Sequence, residues 1–178
     1  MNMAKVEAKT LISPDERLRY YAKILAAFGI IMLLAILPTQ MVSGPLVNAT
    51  LFIVCVLISR RSAILIALVP SPIALLSGVL PFVLAPMIPF IMLGNILMIY
   101  GFDYLYKKNF WYGVGLGAFI KFVFLYATSQ LMIHYFLTGS VPIKIAVMMS
   151  WPQLFTALLG GILAYFFLKT IKKYDHHY

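Results

Sequence analysis

Residues Leu68 to Phe102 read LVPSPIALLSGVLPFVLAPMIPFIMLGNILMIYGF. The stretch is uncharged and almost wholly apolar, yet it holds Pro70, Pro72, Pro81, Pro86 and Pro89, with Asn95 in its last third. Proline removes a backbone donor and its ring clashes with the preceding turn, so one plain helix cannot run through all five. The expected solution is two membrane helices joined by a tight turn at about Ser77 to Pro81, with a kinked wall on either side. Kinked or non-helical backbone at membrane depth survives where it is packed in protein or lines a cavity. The stretch therefore points to a binding site inside the membrane.

The rest of the chain fits that setting. Hydrophobic residues make up 63% of the 178, mean hydropathy is +0.97 and only 11% of residues are charged, against roughly 25% in a soluble domain. This composition defines an all-α integral membrane protein. At about 20 residues per span the length allows six transmembrane helices and leaves no room for a soluble domain, so a nucleotide-binding module would have to be on another chain. The net charge of +9 lies in short clusters between apolar runs, which argues against a nucleic-acid partner. Cys55 is the sole cysteine and is expected to pack as a small apolar residue, with neither disulfide nor thiolate metal cage.

The spans are expected at Ala22–Met41, Pro45–Ser59, Ser62–Ser77, Pro81–Phe102, Trp111–Leu137 and Ile143–Leu168. Residues 1–21 are read as a cytoplasmic segment with a short surface helix that Ser13-Pro14-Asp15-Glu16 would start, residues 22–168 as the membrane domain, and residues 169–178 as a cytoplasmic tail. With six spans, Lys5, Lys9, Arg17, Arg19, Lys23, Arg60, Arg61, Lys107, Lys108, Lys169, Lys172 and Lys173 all fall on one side, and Lys144 alone on the other. By the positive-inside rule both termini are cytoplasmic. No internal repeat supports an inverted-repeat transporter.

Counting about 1.5 Å per residue puts Asn95, Lys121 and Gln153 near the midplane. Asn48, Gln130 and His134 then lie in the outer half, with Gln40 at its edge. Polar groups confined to one half, above an apolar floor, suit a pocket that opens outward better than a channel. Asn48, Asn95, Lys121, Thr128, Gln130, Trp151 and Gln153 are the candidate substrate-binding residues. For Asn95, Gln130 and Gln153, each taken alone, hydrogen bonding between helices is the favoured reading, and Trp151 suits either an interfacial belt or an aromatic wall for a planar ligand. Lys121, with Phe124, Leu125, Thr128 and Met132 on its face, is expected to meet the anionic group of a small amphipathic acid. The alternative is a lysine held by carbonyls freed at Pro70, Pro72 or Pro89.

Ala22, Ala26 and Gly29 share one face of the first helix, and Ala157, Gly160 and Ala164 one face of the sixth. Such faces let helices approach closely. There is no G-x-x-x-x-G-K-S/T loop, no H-E-x-x-H, no pair of intramembrane carboxylates and no Ser-His-Asp set, so neither an enzyme nor a resident metal or cofactor is expected.

Six spans in under 200 residues, both ends cytoplasmic, Ala22-x-x-x-Ala26, Gly44-Pro45-Leu46-Val47-Asn48 and the run Ala85-Pro86-Met87-Ile88-Pro89-Phe90-Ile91-Met92-Leu93-Gly94-Asn95 together resemble a substrate-specific S component of an energy-coupling factor transporter. The resemblance covers most of the chain. It implies a multi-pass plasma-membrane subunit that captures a vitamin-like or other trace solute outside the cell and works with a membrane coupling subunit and two cytoplasmic ATPases. It also implies that the face of Ala22, Ala26 and Gly29 docks on the coupling subunit. A small structural or assembly subunit of a larger membrane complex is the alternative, with a membrane-embedded enzyme behind it.

Overall fold

A computed structural model describes residues 14–136 and 146–175, all helical or in short connections. Its elements are α1 (Pro14–Ala35), α2 (Gln40–Leu57), α3 (Arg60–Ala67), α4 (Pro70–Leu76), a 3-10 helix (Phe82–Met87), α5 (Ile88–Leu105), α6 (Phe110–Phe136) and α7 (Trp151–Asp175). Five helical stretches are long and apolar enough to cross a membrane: 14–35, 40–57, 82–105, 110–134 and 146–171. The chain is a multi-pass membrane protein. The stretch expected to be the third span is instead two short helices, α3 and α4.

Proline chemistry explains most departures from the expected boundaries. Pro70 and Pro72 cannot donate to the carbonyls of Ile66 and Leu68, and the backbone tightens there into i→i−3 bonds, Leu68 to Leu65 and Val69 to Ile66. Pro86 lies inside the 3-10 helix and Pro89 in the first turn of α5, where a missing N–H costs nothing. The turn falls where it was expected. Gly78 takes φ +77°, a left-handed conformation that glycine adopts without strain, and the Leu80 amide reaches back 2.8 Å to the Ala74 carbonyl.

The second helix does not wait for Pro45. It begins at Gln40 and carries Pro45 inside it, following a turn through Pro38 that closes α1 at Ala35. At the other end of the chain, α7 starts at Trp151, because Pro152 in its first turn restricts the residue before it. Residues 146–148, helical, precede it. A helix begins at Pro14 with Asp15 and Glu16 in its first turn, as expected, but it runs unbroken to Ala35 with no break before the first span, and α7 continues through the expected tail to Asp175. Lys144 lies outside the described residues.

Several crossings of the bundle use glycine for close approach, Gly161 of α7 against Val114 of α6 among them. At Gly160 of α7 an added Cβ would lie 2.7 Å from the Asn48 Cβ and 2.8 Å from the Pro45 carbonyl of α2. At Gly117 of α6 it would lie 2.5 Å from the Met98 carbonyl of α5. Without a hydrophobic drive between helices in lipid, such contacts supply the packing. Ala157 and Ala164 of α7 are buried too. The small-residue face expected on the last helix thus faces into the bundle.

One end of the bundle collects the basic connections. Arg60 forms a 2.8 Å ion pair with Asp103, Tyr20 shares a 2.9 Å hydrogen bond with Ser62, and Phe110 and Tyr165 pack 5.6 Å apart. The start of α1, the α2–α3 link, the α5–α6 link and the last turns of α7 therefore lie together. Phe102, fully buried, is surrounded there by Phe52, Tyr106 and Phe110 at ring separations of 4.7, 5.0 and 5.5 Å.

Candidate functional site

The opposite end is built differently. Between α2, α4, α5, α6 and α7 it holds a cavity of about 90 Å³, lined among others by Gln40, Asn48, Ser71, Asn95, Lys121 and Gln153. The break at Pro70 positions Ser71 on its wall, and the turn through Gly78 brings Leu80 to its edge. Of its sixteen lining residues eight are polar, a large share for membrane sequence, where each polar group needs a partner.

Lys121, in the middle of α6, is 4% exposed. Its Nζ donates a 2.8 Å hydrogen bond to Asn48 Oδ1 on α2. This replaces the expected alternative of a lysine held by proline-freed carbonyls. An ammonium has three donors and no acceptor, so it fixes the Asn48 amide with its oxygen toward the cation. The Asn48 Nδ2 is left buried without a partner, and so is the Asn95 Oδ1. Buried polar atoms of this kind are few in folded proteins, and leaving one unmatched costs about 1 to 3 kcal/mol. Two orphans beside one buried cation, all on one cavity, are the chemical signature of this end.

The polar residues next to the cavity mouth are better satisfied. Gln153 Nε2 donates to the Met148 carbonyl at 3.1 Å, and Gln40 Nε2 reaches the same oxygen at 3.5 Å. The Thr156 hydroxyl donates to the Gln153 carbonyl at 3.3 Å. These bonds tie the start of α7 to the start of α2.

Of the seven residues expected to bind substrate, the structure brings four together: Asn48, Asn95, Lys121 and Gln153 line the cavity. The other three are elsewhere. The Thr128 hydroxyl donates to the carbonyls of Phe124 and Leu125 on its own helix, at 2.8 and 3.2 Å. Gln130 is exposed. Trp151 is 59% exposed and meets the Phe155 ring edge-on at 6.1 Å. The apolar wall expected along Lys121 is not there either. Leu125 packs with Leu84, Met87 and Met149, with Phe124 and Met132 against that cluster.

Sequence reasoning missed Ser71 and Thr156, both buried and both on the cavity. Each left a trace: a serine between two prolines, and a threonine three residues after Gln153 on the same helical face.

On α1, Ala22, Ala26 and Gly29 are all exposed, and nothing lies within 4 Å of a Cβ placed at Gly29. The face α1 buries is that of Ala27, Ile31 and Ala35. Beside Ala26 an apolar groove of about 610 Å³ runs between α1, α2 and the last turns of α7.

Fold and site together define a multi-pass helical membrane protein with a buried, polar, singly charged cavity at the end away from its basic connections. No family model, curated protein or solved structure matches the chain.

Proposed function

We propose that the chain is the substrate-binding membrane subunit of an uptake transporter of the energy-coupling factor kind. It crosses the plasma membrane six times, α3 and α4 forming the broken third crossing, and both termini are cytoplasmic. The solute enters from outside into the cavity at Lys121. A membrane coupling subunit, driven by two cytoplasmic ATPases, then brings it inward.

The observation that carries this reading is the buried Lys121, bonded to Asn48 and lining one cavity with Asn48 and Asn95, each of which keeps a buried amide atom without a partner. A cation at membrane depth costs at least about 2.5 to 3.5 kcal/mol on insertion scales. A purely structural or assembly subunit would gain nothing from retaining it. The direction of entry follows from the clustered basic residues at the other end, which the positive-inside rule assigns to the cytoplasm. The uncovered face of Ala22, Ala26 and Gly29 is where a partner helix can approach closely.

Mass spectrometry of small molecules retained on the purified protein tests binding, with Asn48→Leu as the variant that should release them. Cysteine labelling tests orientation. Thr39 is exposed and better placed than the half-buried Ser43, and a cysteine there should react with an impermeant thiol reagent in intact cells, whereas one at Arg60 or Lys107 should not. Docking is tested by Ala26→Trp, which should abolish uptake and leave binding by the isolated chain unchanged.

A further inference from the structure

The unmatched atoms of the cavity form a pattern that a ligand must complement. Lys121 has two donors beyond the one given to Asn48, and Asn48 Nδ2 adds two more. Against this surplus stands a single orphaned acceptor, Asn95 Oδ1.

Charge narrows the class. Among the described residues Lys121 is the sole charged one on the cavity wall, with no arginine fork beside it, which matches one negative charge and not a phosphate dianion. Among the described residues neither carboxylate nor aromatic ring lines the wall, so a ligand ammonium would find no counter-charge and no π face there, and would be repelled by Lys121. The missing rings also deprive a planar aromatic ligand of anything to stack on. Size narrows it again. A cavity of about 150 Å³ takes benzene, so in proportion the 90 Å³ found here holds roughly four non-hydrogen atoms of the ligand's buried end.

We propose that the ligand is a small, non-aromatic monocarboxylate carrying a hydroxyl or amide N–H on the carbon next to the carboxylate. The carboxylate accepts from Lys121 Nζ and Asn48 Nδ2, and the neighbouring hydroxyl or N–H donates to Asn95 Oδ1. This rests on the cavity being a binding site. It revises the sequence-based expectation of an amphipathic acid, because the apolar face expected beside Lys121 is packed away and Ser71 and Thr156 stand on the wall instead.

The test is calorimetric titration of the full chain in nanodiscs with glycolate and lactate, their deoxy counterparts acetate and propionate, glycine, and benzoate. The hydroxy acids should bind at least about tenfold tighter than the deoxy acids, because an unmatched buried acceptor penalises the latter. Glycine and benzoate should bind more weakly still. Asn95→Leu should erase the preference for the hydroxyl while retaining acid binding, and Lys121→Met should abolish binding of every acid. If Lys121→Met does not yield folded protein, Asn95→Asp, which sets a second carboxylate against the ligand's own, should do the same.

Equal affinity for lactate and propionate, or tighter binding of glycine or benzoate, overturns the proposal. So does failure of all six probes to bind. In that last case the retained-ligand measurement separates the two readings: a small molecule released by Asn48→Leu leaves the binding function standing and removes only the ligand class. No retained molecule removes both.

Discussion

The two ends of this bundle are made from the same apolar alphabet and solve opposite problems. At the end with the basic connections, helices run unbroken and rings close around Phe102, which is fully buried. At the other end Pro70, Pro72 and Pro86 break the helices, and half of the lining of the space that results is amides, hydroxyls and one lysine. Backbone irregularity and polarity occur together because a broken helix both frees room and exposes dipoles that need partners. The closed end is what allows the open end to be irregular, since α2, α5, α6 and α7 are already fixed before they reach the cavity.

Gly160→Val is the substitution that should erase the distinction, because it lies where α2 and α7 touch beside Asn48. The Pro45 carbonyl and the Ala49 amide, 2.8 and 2.9 Å from an added Cβ, cannot retreat unless the helices part. The cost should exceed the roughly 1 to 3 kcal/mol of ordinary overpacking, and gel filtration should show little monodisperse protein. A valine at Gly29, where nothing lies within 4 Å, should leave the isolated chain unaffected.

Phe102→Ala sharpens the comparison by striking the closed end alone. Loss of a fully buried ring should cost about 3 to 5 kcal/mol, read as a lowered melting temperature in detergent. Ligand affinity of the protein that remains folded should hold. A parallel loss of affinity would mean that the two ends are not separable.

At the open end Gly78→Ala should act through the backbone alone, because its φ of +77° is strained for any Cβ and no neighbour crowds the site. About 1 to 2 kcal/mol is expected, with the turn loosened and the cavity edge at Leu80 displaced. The smallest effect belongs to Arg60→Ala. Its 2.8 Å pair with Asp103 is exposed on the arginine side and should contribute under about 1 kcal/mol, diminishing further with added salt. A larger loss would mark that pair as part of the closed end's core.

Sequence by itself determined the class and much of the segmentation. Hydropathy required membrane helices, and the turn at Ser77 to Pro81 was legible because glycine and proline act through local backbone geometry, whereas the split of the expected third span into α3 and α4 at Pro70 was not. Helix ends at Pro45 and Pro152 were less legible, since a proline is tolerated early in a helix or can delay its start, and only the neighbouring contacts decide which.

The cavity was half legible. Asn48, Asn95, Lys121 and Gln153 stood out as polar groups at depth, but the hydrogen bond from Lys121 to Asn48 joins residues 73 apart, and no periodicity announces it. Helices apolar on every side give no amphipathic signal to tell an inward face from an outward one. Thr128 and Gln130 on α6 therefore looked as eligible as Lys121. The rotation of each helix about its own axis was settled in three dimensions, by Gly160 against Asn48 and Gly117 against Met98, because close backbone approach is possible where one of the two surfaces lacks a Cβ in the way.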